Sequence, residues 1–440
     1  MRFRWILTVA ALNACDGGDP ADTDEGSDTT DTADTSDTSD TSDTNDTSDN
    51  PTGDEGLVRD LIEGNQDVDA VLANVSWSDG FPVATESGTY IFVLQESEGE
   101  FSLHGDFTNW AGEDQPIPMT QGDGFFWAEV EISNPEGQRY KFMNDGGDWA
   151  DDWSRSFTYD QYGEISFVRP PSDQYRLDRW VGMIGEGLQE RDLQVLVPPG
   201  EGPWPVLYMH DGQNLFDPEA AFGRWDIQGA VEAGGEEVLV VGINNTSDRM
   251  SEYVHVPDNL GDGTYASVGA DYAALVQEDI RPFIEDTYGT NGLNGVMGSS
   301  LGGLISLYIA HQYPGEFDFV GSLSGTLGWG RFGLSNPTVQ ELWEDDDFQD
   351  IVIYADSGGG PGGDNECTDP DEDGFTEDDP DSSDNYCETR QFVDSMAENG
   401  YTWDQNLFHW WVPDAPHNEG AWAERVDDAI AIFLAIDDES

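Results

Sequence analysis

The stretch Gly295-Val296-Met297-Gly298-Ser299-Ser300-Leu301-Gly302-Gly303-Leu304-Ile305-Ser306-Leu307-Tyr308-Ile309-Ala310 decides the fold. A short apolar run leads into Gly298-Ser299-Ser300-Leu301-Gly302, and an apolar helical pattern follows at once. G-x-S-x-G between a strand and a helix is the setting of a nucleophile elbow. The glycines serve a tight turn in which strand and helix approach closely. Ser300 sits at the tip, where its hydroxyl is exposed and the helix N-terminus favours developing negative charge. The pattern alone is weak in a chain with 51 glycines; its flanks give it meaning. Ser299 reads as a structural turn residue.

Working outward, the same alternation continues on both sides. Leu193-Gln194-Val195-Leu196-Val197, Val206-Leu207-Tyr208-Met209, Glu237-Val238-Leu239-Val240-Val241-Gly242-Ile243 and Ile351-Val352-Ile353-Tyr354 are buried-type strand runs. Helical patterns at 269–287 and 302–313 lie between them. This predicts an α/β domain with a mainly parallel sheet over 173–440. A serine nucleophile needs a base, and the chain order expected is serine, acid, histidine. His417 lies in a loop just past the strand-like Leu407-Phe408-His409-Trp410-Trp411-Val412, where a catalytic base belongs, with a helix expected over 421–434. His409 lies inside that strand and reads as packed on the sheet.

Tyr208-Met209-His210-Asp211-Gly212-Gln213-Asn214-Leu215-Phe216, Gly242-Ile243-Asn244-Asn245, Asp248-Arg249-Met250-Ser251-Glu252-Tyr253, Gly298-Ser299-Ser300-Leu301-Gly302-Gly303 and His417-Asn418-Glu419-Gly420-Ala421-Trp422 together resemble the putative-esterase family. This is the α/β-hydrolase branch that includes enterochelin esterases, esterase D, feruloyl and acetyl-xylan esterases. The resemblance covers roughly residues 174–436. It implies a serine carboxylesterase that needs no organic cofactor. It implies an oxyanion hole from the N–H of Leu301 and that of Gln213, with Gly212 an alternative one position away. It sets Trp225, Arg249 and Glu252 near the substrate; Arg249 and Glu252 read equally as an ion pair fixing their loop. The family places its acid a few residues beyond the strand that ends near Tyr354, before a helix. Here an acidic insertion, 359–384, intervenes, and a helix pattern begins near Tyr386. Asp384 is the leading candidate acid; Asp356 and other insertion acids stay open.

Residues 364–384 hold 11 acidic side chains. Asp369-Pro370-Asp371-Glu372-Asp373-Gly374-Phe375-Thr376-Glu377 reads D-x-D-x-D-G-x-x-E, the hard oxygen ligands and sharp turn of a calcium loop. Asp369, Asp371, Asp373 and Glu377 are the candidate ligands, with Asp378 and Asp381 able to complete the shell. Pro380 stands where an EF-hand has its Glu, so the loop is closer to the short loops of thrombospondin-type repeats. A solvated acidic loop is the alternative. Cys367 and Cys387 flank it and, in an exported chain, are expected to pair.

Ahead of the α/β region, short β-type runs from about 75 to 168 predict a small β-sandwich within a domain of 56–172. Leu103-His104-Gly105-Asp106-Phe107-Thr108-Asn109-Trp110, with Trp127, Tyr140-Lys141-Phe142 and Trp149, resembles early-set sandwiches related to glycogen-binding modules. Trp110, Trp149 and Trp153 build either a carbohydrate-binding face or packing. Residues 57–72 repeat at a helical period. Arg2, Arg4, a short apolar run and Leu12-Asn13-Ala14-Cys15 resemble a lipoprotein signal, with Cys15 the lipidation site. Residues 16–55, a Ser/Thr/Asp repeat with 15 acids and no basic residue, read as a disordered tether.

The formal net charge is -75, and 76 acidic against 14 basic residues remain over 56–440. No basic patch of useful size can form, which excludes phosphate-driven nucleic-acid binding and electrostatic docking on an anionic membrane. The expected protein is an exported, lipid-anchored ester hydrolase acting outside the cytoplasm on an enterochelin-type, feruloyl or acetyl ester. Its membrane contact would be the lipid anchor alone, and a structural calcium is its one expected ion. The competing reading is a catalytically silent, carbohydrate-binding surface protein on a hydrolase fold.

Overall fold

The computed structural model describes residues 53–111, 115–150, 153–235, 237–345, 348–360, 367–370, 372–378 and 382–436. Cys15 and residues 16–52 of the expected tether lie outside them, as do Asp371 and Asp381.

The C-terminal part is built on eight neighbouring strands: Leu407–Trp411, Val352–Ser357, Phe319–Leu323, Thr290–Ser299, Trp204–His210, Leu239–Ile243, Arg191–Val197 and Arg176–Met183. The first six run parallel; Arg191–Val197 runs antiparallel to both its neighbours, Leu239–Ile243 and Arg176–Met183. Trp204–His210 is followed in sequence by a strand on one side of it, and Thr290–Ser299 by a strand on the other. The connections therefore diverge at the carboxyl ends of these two adjacent strands. In open α/β sheets that crevice is where ligands bind.

Both faces of this sheet are covered, which explains why its strands read as continuous apolar runs. Along Trp204–His210, Val206 and Tyr208 join one core and Leu207 and Met209 the other. Leu301–Gln312 is buried on all sides, with Leu304, Ile305, Leu307 and Ile309 in the first core, as an all-round apolar helix should be. Each such side chain contributes roughly 1.5–3 kcal/mol through burial.

Residues 83–167 form two packed layers. Val83–Ala84, Thr89–Leu94, Phe126–Glu131 and Thr120–Gln121 make one sheet. Phe101–Gly105, Arg139–Asn144, Gly163–Phe167 and Ser156–Asp160 lie in the other, with Phe92, Leu103, Phe126, Tyr140 and Phe142 between them. The second layer does not end at the expected boundary near 172. Ser156–Asp160 pairs antiparallel with Arg176–Met183, so one 14-stranded sheet runs from the sandwich into the α/β region.

The helical pattern of 57–72 is divided between two helices, Asp54–Ile62 and Val68–Ser76. Gly64 at φ 78° lies just past the first, and the Asp67 carboxylate caps the second by accepting the Ala70 N–H. An Asp N-cap outweighs an apolar period that alone would run on. The helix expected over 421–434 is likewise two, Glu419–Ala423 and Val426–Ala435.

Candidate active site

Ser300 joins Thr290–Ser299 to Leu301–Gln312 at φ 55°, ψ −123°. A non-glycine residue there stores about 1–3 kcal/mol of strain, and such strain clusters at functional sites. The turn holds because its surroundings over-determine it. The Ser300 N–H donates to Leu323 O (3.0 Å), and its carbonyl accepts from Gly303, Leu304 and Thr326 N–H groups. A Cβ on Gly298 would lie 2.8 Å from the backbone of Gly302, so this close approach requires glycine. The Ser300 hydroxyl lies 3.4 Å from that of Thr326. Leu301 opens the helix, so its N–H has no acceptor within the helix. Ser299 is buried in the strand.

His417 lies in the loop after Leu407–Trp411, stitched to the end of the acidic insertion. Its N–H donates to Ser383 O (3.0 Å), and the Ser383 hydroxyl to Ala415 O (3.0 Å). Its Nδ1 is 2.6 Å from Asp384 Oδ1. The imidazole edge meets the Trp422 ring at 5.0 Å, and Trp225 packs behind Trp422 at 5.8 Å. Asp384 also accepts from the Ser324 hydroxyl (2.5 Å), Gly358 N–H (2.6 Å) and Asn385 N–H (2.8 Å). Burial pushes its carboxyl up, but His417, Ser324 and the backbone N–H outweigh that and hold it below the usual range.

Asp356, the rival acid, is fully buried but faces elsewhere. It pairs with Arg425 (3.1 Å) and accepts from the Tyr354 hydroxyl (3.0 Å). Burial, opposed by these two partners, pushes its carboxyl up to about 6. Arg425 links the two acids: its Nη2 reaches Ser324 Oγ (2.9 Å) and lies 3.8 Å from Asp384 Oδ2. Trp422 Nε1 donates to the same Ser324 oxygen (3.0 Å). Ser324, Thr326 and Arg425 were not singled out from the sequence. A serine past a buried strand and an arginine eight positions past His417 carry no local pattern.

The loop after Trp204–His210 approaches from the other side of the crevice. Asp211 is left-handed (φ 59°) and leads into the turn Gly212–Asn214. A Cβ on Gly212 would lie 2.5 Å from the Gly242 carbonyl carbon, which keeps the loop against the neighbouring strand. Gln213, whose N–H is the expected second oxyanion donor, has its side chain turned away: Oε1 accepts the Asn245 N–H (3.1 Å).

The expected Arg249–Glu252 ion pair is absent, and Trp225, Arg249 and Glu252 each make other contacts. Arg249 grips Asp211 through two 2.8 Å bonds. Glu252 is fully buried and taken by Arg191 (2.7 and 3.1 Å) and the Thr246 hydroxyl (3.0 Å), so it cannot reach a substrate. Trp225 is only 2% exposed and backs Trp422 instead. The family resemblance set them near the site without showing which side chains their own loops would engage.

Cys367 and Cys387 form the expected disulfide. In the loop expected to bind calcium, Asp369 accepts the Asp373 and Gly374 N–H groups (3.1 and 2.9 Å), and Asp373 accepts that of Phe375 (3.0 Å). Glu377 bridges Thr368 by its backbone. Among the described residues no group of three or more metal-ligating side chains converges. On the sandwich, Trp149 is 39% exposed and meets Trp110 at 6.2 Å, whereas Trp153 packs against a different cluster, beside Val58, Phe81 and Phe125.

The sequence profile described as putative esterase matches residues 188–433, more than half of the chain. The chain is 28% identical over 153 residues to the uncharacterized protein YbbA of Bacillus subtilis strain 168, covering 31% of this chain and 57% of that protein. It thus spans little more than half the length of that curated relative. An IroE-like serine hydrolase from Shewanella oneidensis is similar over 59% of this chain and 80% of its own, with 16% identity and a TM-score of 0.44. Enterochelin esterase from Shigella flexneri is similar over 82% and 98%, with 14% identity and a TM-score of 0.43.

Proposed function

The chain belongs to the putative esterase family, and from that premise we propose that it hydrolyses carboxylic esters through Ser300, His417 and Asp384. The observation that carries this reading is the strained elbow conformation of Ser300 at the switch point of the sheet. The His417–Asp384 contact of 2.6 Å supports it.

In the proposed reaction His417 Nε2 takes the Ser300 proton as the oxygen attacks the ester carbonyl. The N–H groups of Leu301 and Gln213 receive the oxyanion. Collapse breaks the ester C–O bond, and His417 returns the proton to the departing alcohol. Water, deprotonated by the same imidazole, then attacks the acyl-serine, and the carboxylic acid leaves. Asp384 holds the imidazole tautomer that presents Nε2 and stabilises the imidazolium.

We further place the protein outside the cytoplasm, tethered through a lipid on Cys15, with acetyl, feruloyl or siderophore-type esters as the substrates to test. The test is hydrolysis of an ester panel by the full chain and by Ser300→Ala. Loss of turnover with unchanged circular dichroism is expected. Turnover by Ser300→Ala equal to that of the parent would overturn the reading.

A further inference from the structure

We propose that the site discriminates against negatively charged esters, so that its substrate joins an uncharged or cationic acid to an uncharged or cationic alcohol. This rests on the ester-hydrolase reading and adds the charge class of the substrate to it.

Residues 173–440 contain 54 acidic side chains, nine arginines and no lysine. Every one of the nine arginines lies 2.5–3.1 Å from a carboxylate oxygen. Three bear on the site. Arg249, beside the oxyanion loop, has two nitrogens on Asp211. Arg425 lies between Asp356 and Asp384. Arg191 is spent on buried Glu252. Bidentate recognition of a carboxylate or phosphate on a substrate needs a free, accessible guanidinium fork; here each guanidinium already contacts one of the protein's own acids, and the Arg425 Nε and Nη1, which lack a partner, are buried.

Histidine does not make up the deficit. Burial pushes His210 down to about 3 and His255 and His409 to about 4, so all three are neutral at neutral pH. His311 is at the far end of the elbow helix, near Leu342 O. The positive charge that forms on His417 during turnover already faces Asp384.

Carboxyl groups are meanwhile in surplus around the reacting atoms. Glu419, two residues past His417, accepts from Asn214 of the oxyanion loop (3.3 Å). Buried Glu388 accepts the Gly328 N–H (2.9 Å), two residues past the threonine that touches Ser300. Burial first, then neighbouring acids, pushes the Glu388 carboxyl up to about 7 and raises that of Glu419.

An anionic acyl group would find no unpaired guanidinium here and would enter the field of 54 acidic against nine basic side chains. Clefts lined by one sign of charge change association rates by about 10–1,000-fold, and the effect collapses with salt. Among the expected substrates, acetyl and feruloyl esters of neutral sugars meet the condition. A polyanionic iron chelate does not.

The test uses three p-nitrophenyl esters of similar length: butyrate, succinate with its free carboxylate, and trimethylammoniobutyrate. kcat/KM is measured with the full chain at about 10 mM and about 1 M NaCl, where the Debye length falls from about 30 to about 3 Å. Circular dichroism at both salts keeps unfolding out of the comparison. At low salt the succinate should be slower than the butyrate by about 10-fold or more, and the cationic ester at least as fast. At high salt the ratios should approach one. Glu419→Gln should narrow the succinate-to-butyrate gap. Equal low-salt rates for succinate and butyrate, both lost in Ser300→Ala, would overturn the charge inference and leave the esterase reading intact. Absence of Ser300-dependent turnover on all three would overturn both.

Discussion

His417 needs one buried carboxylate, and two lie within reach of the same arginine. Asp384 accepts the Nδ1–H at 2.6 Å, whereas Asp356 is held by Arg425 and Tyr354. Asp384→Asn should therefore lower kcat by roughly 10,000-fold through loss of the correct tautomer, and Asp356→Asn by far less. Ester turnover by the two variants checks the assignment; the reverse order would exchange their roles. Ser300 and His417 were legible in the sequence because each stands in a local pattern, G-x-S-x-G on a strand-to-helix turn and a histidine just past a strand. The choice between Asp384 and Asp356 was not, since it depends on Ser324, Gly358 and Arg425, which meet only in three dimensions. The partners of Arg249 and Glu252 were illegible for the same reason: Asp211 and Arg191 lie 38 and 61 positions away.

At the scale of elements, the elbow seats Ser300 against Leu323, and the acidic insertion carries Asp384 to Ser324, the next residue. Gly298→Ala would press a Cβ to 2.8 Å from the Gly302 backbone. It should cost about 1–3 kcal/mol, measured as a lower denaturation midpoint. The insertion is tied down at Cys367–Cys387, and Asp384 lies three residues before the second cysteine. Reduction of a bridge closing a loop of this size should cost about 3 kcal/mol and lower kcat with it, because Asp384 is carried by the freed segment. Unchanged turnover after verified reduction would show that Ser324 and Gly358 suffice to hold the acid. The sheet strands and the elbow helix were readable because both faces of the sheet are buried. The breaks at 63–67 and 424–425 were not, because caps and tertiary bonds interrupt helices where periodicity continues.

The whole molecule is dominated by its charge of -75. Self-repulsion at this level destabilises the compact state, so added salt should raise the melting temperature. Its pH dependence has a definite sign. Burial chiefly raises Asp356 to about 6, Glu388 to about 7 and Asp378 to about 8. These three carboxyls bind more protons in the folded than in the unfolded state between about pH 4, the ordinary carboxylate range, and those values, whereas His210, His255 and His409, kept neutral by burial, bind fewer below about pH 6.5. Stability should therefore fall as pH rises from about 6.5 to 8, where the carboxyls dominate, and the histidines should oppose the carboxyls at lower pH. Asp384 is held low, so its contribution is present above the ordinary carboxylate range and lost as pH falls below it. A melting temperature that climbs from pH 8 to about 6 and drops in stronger acid is expected; a flat profile would contradict it. The continuous sheet joining sandwich and α/β region was hidden from the sequence, because the pairing of Ser156–Asp160 with Arg176–Met183 has no signature in either strand. A nucleophilic Ser300 should be revealed by reacting the full chain with a fluorophosphonate and mapping the adduct by mass spectrometry. One adduct is expected, on Ser300, absent from Ser300→Ala. An unmodified Ser300 in folded protein, or labelling that persists in the variant, would contradict it.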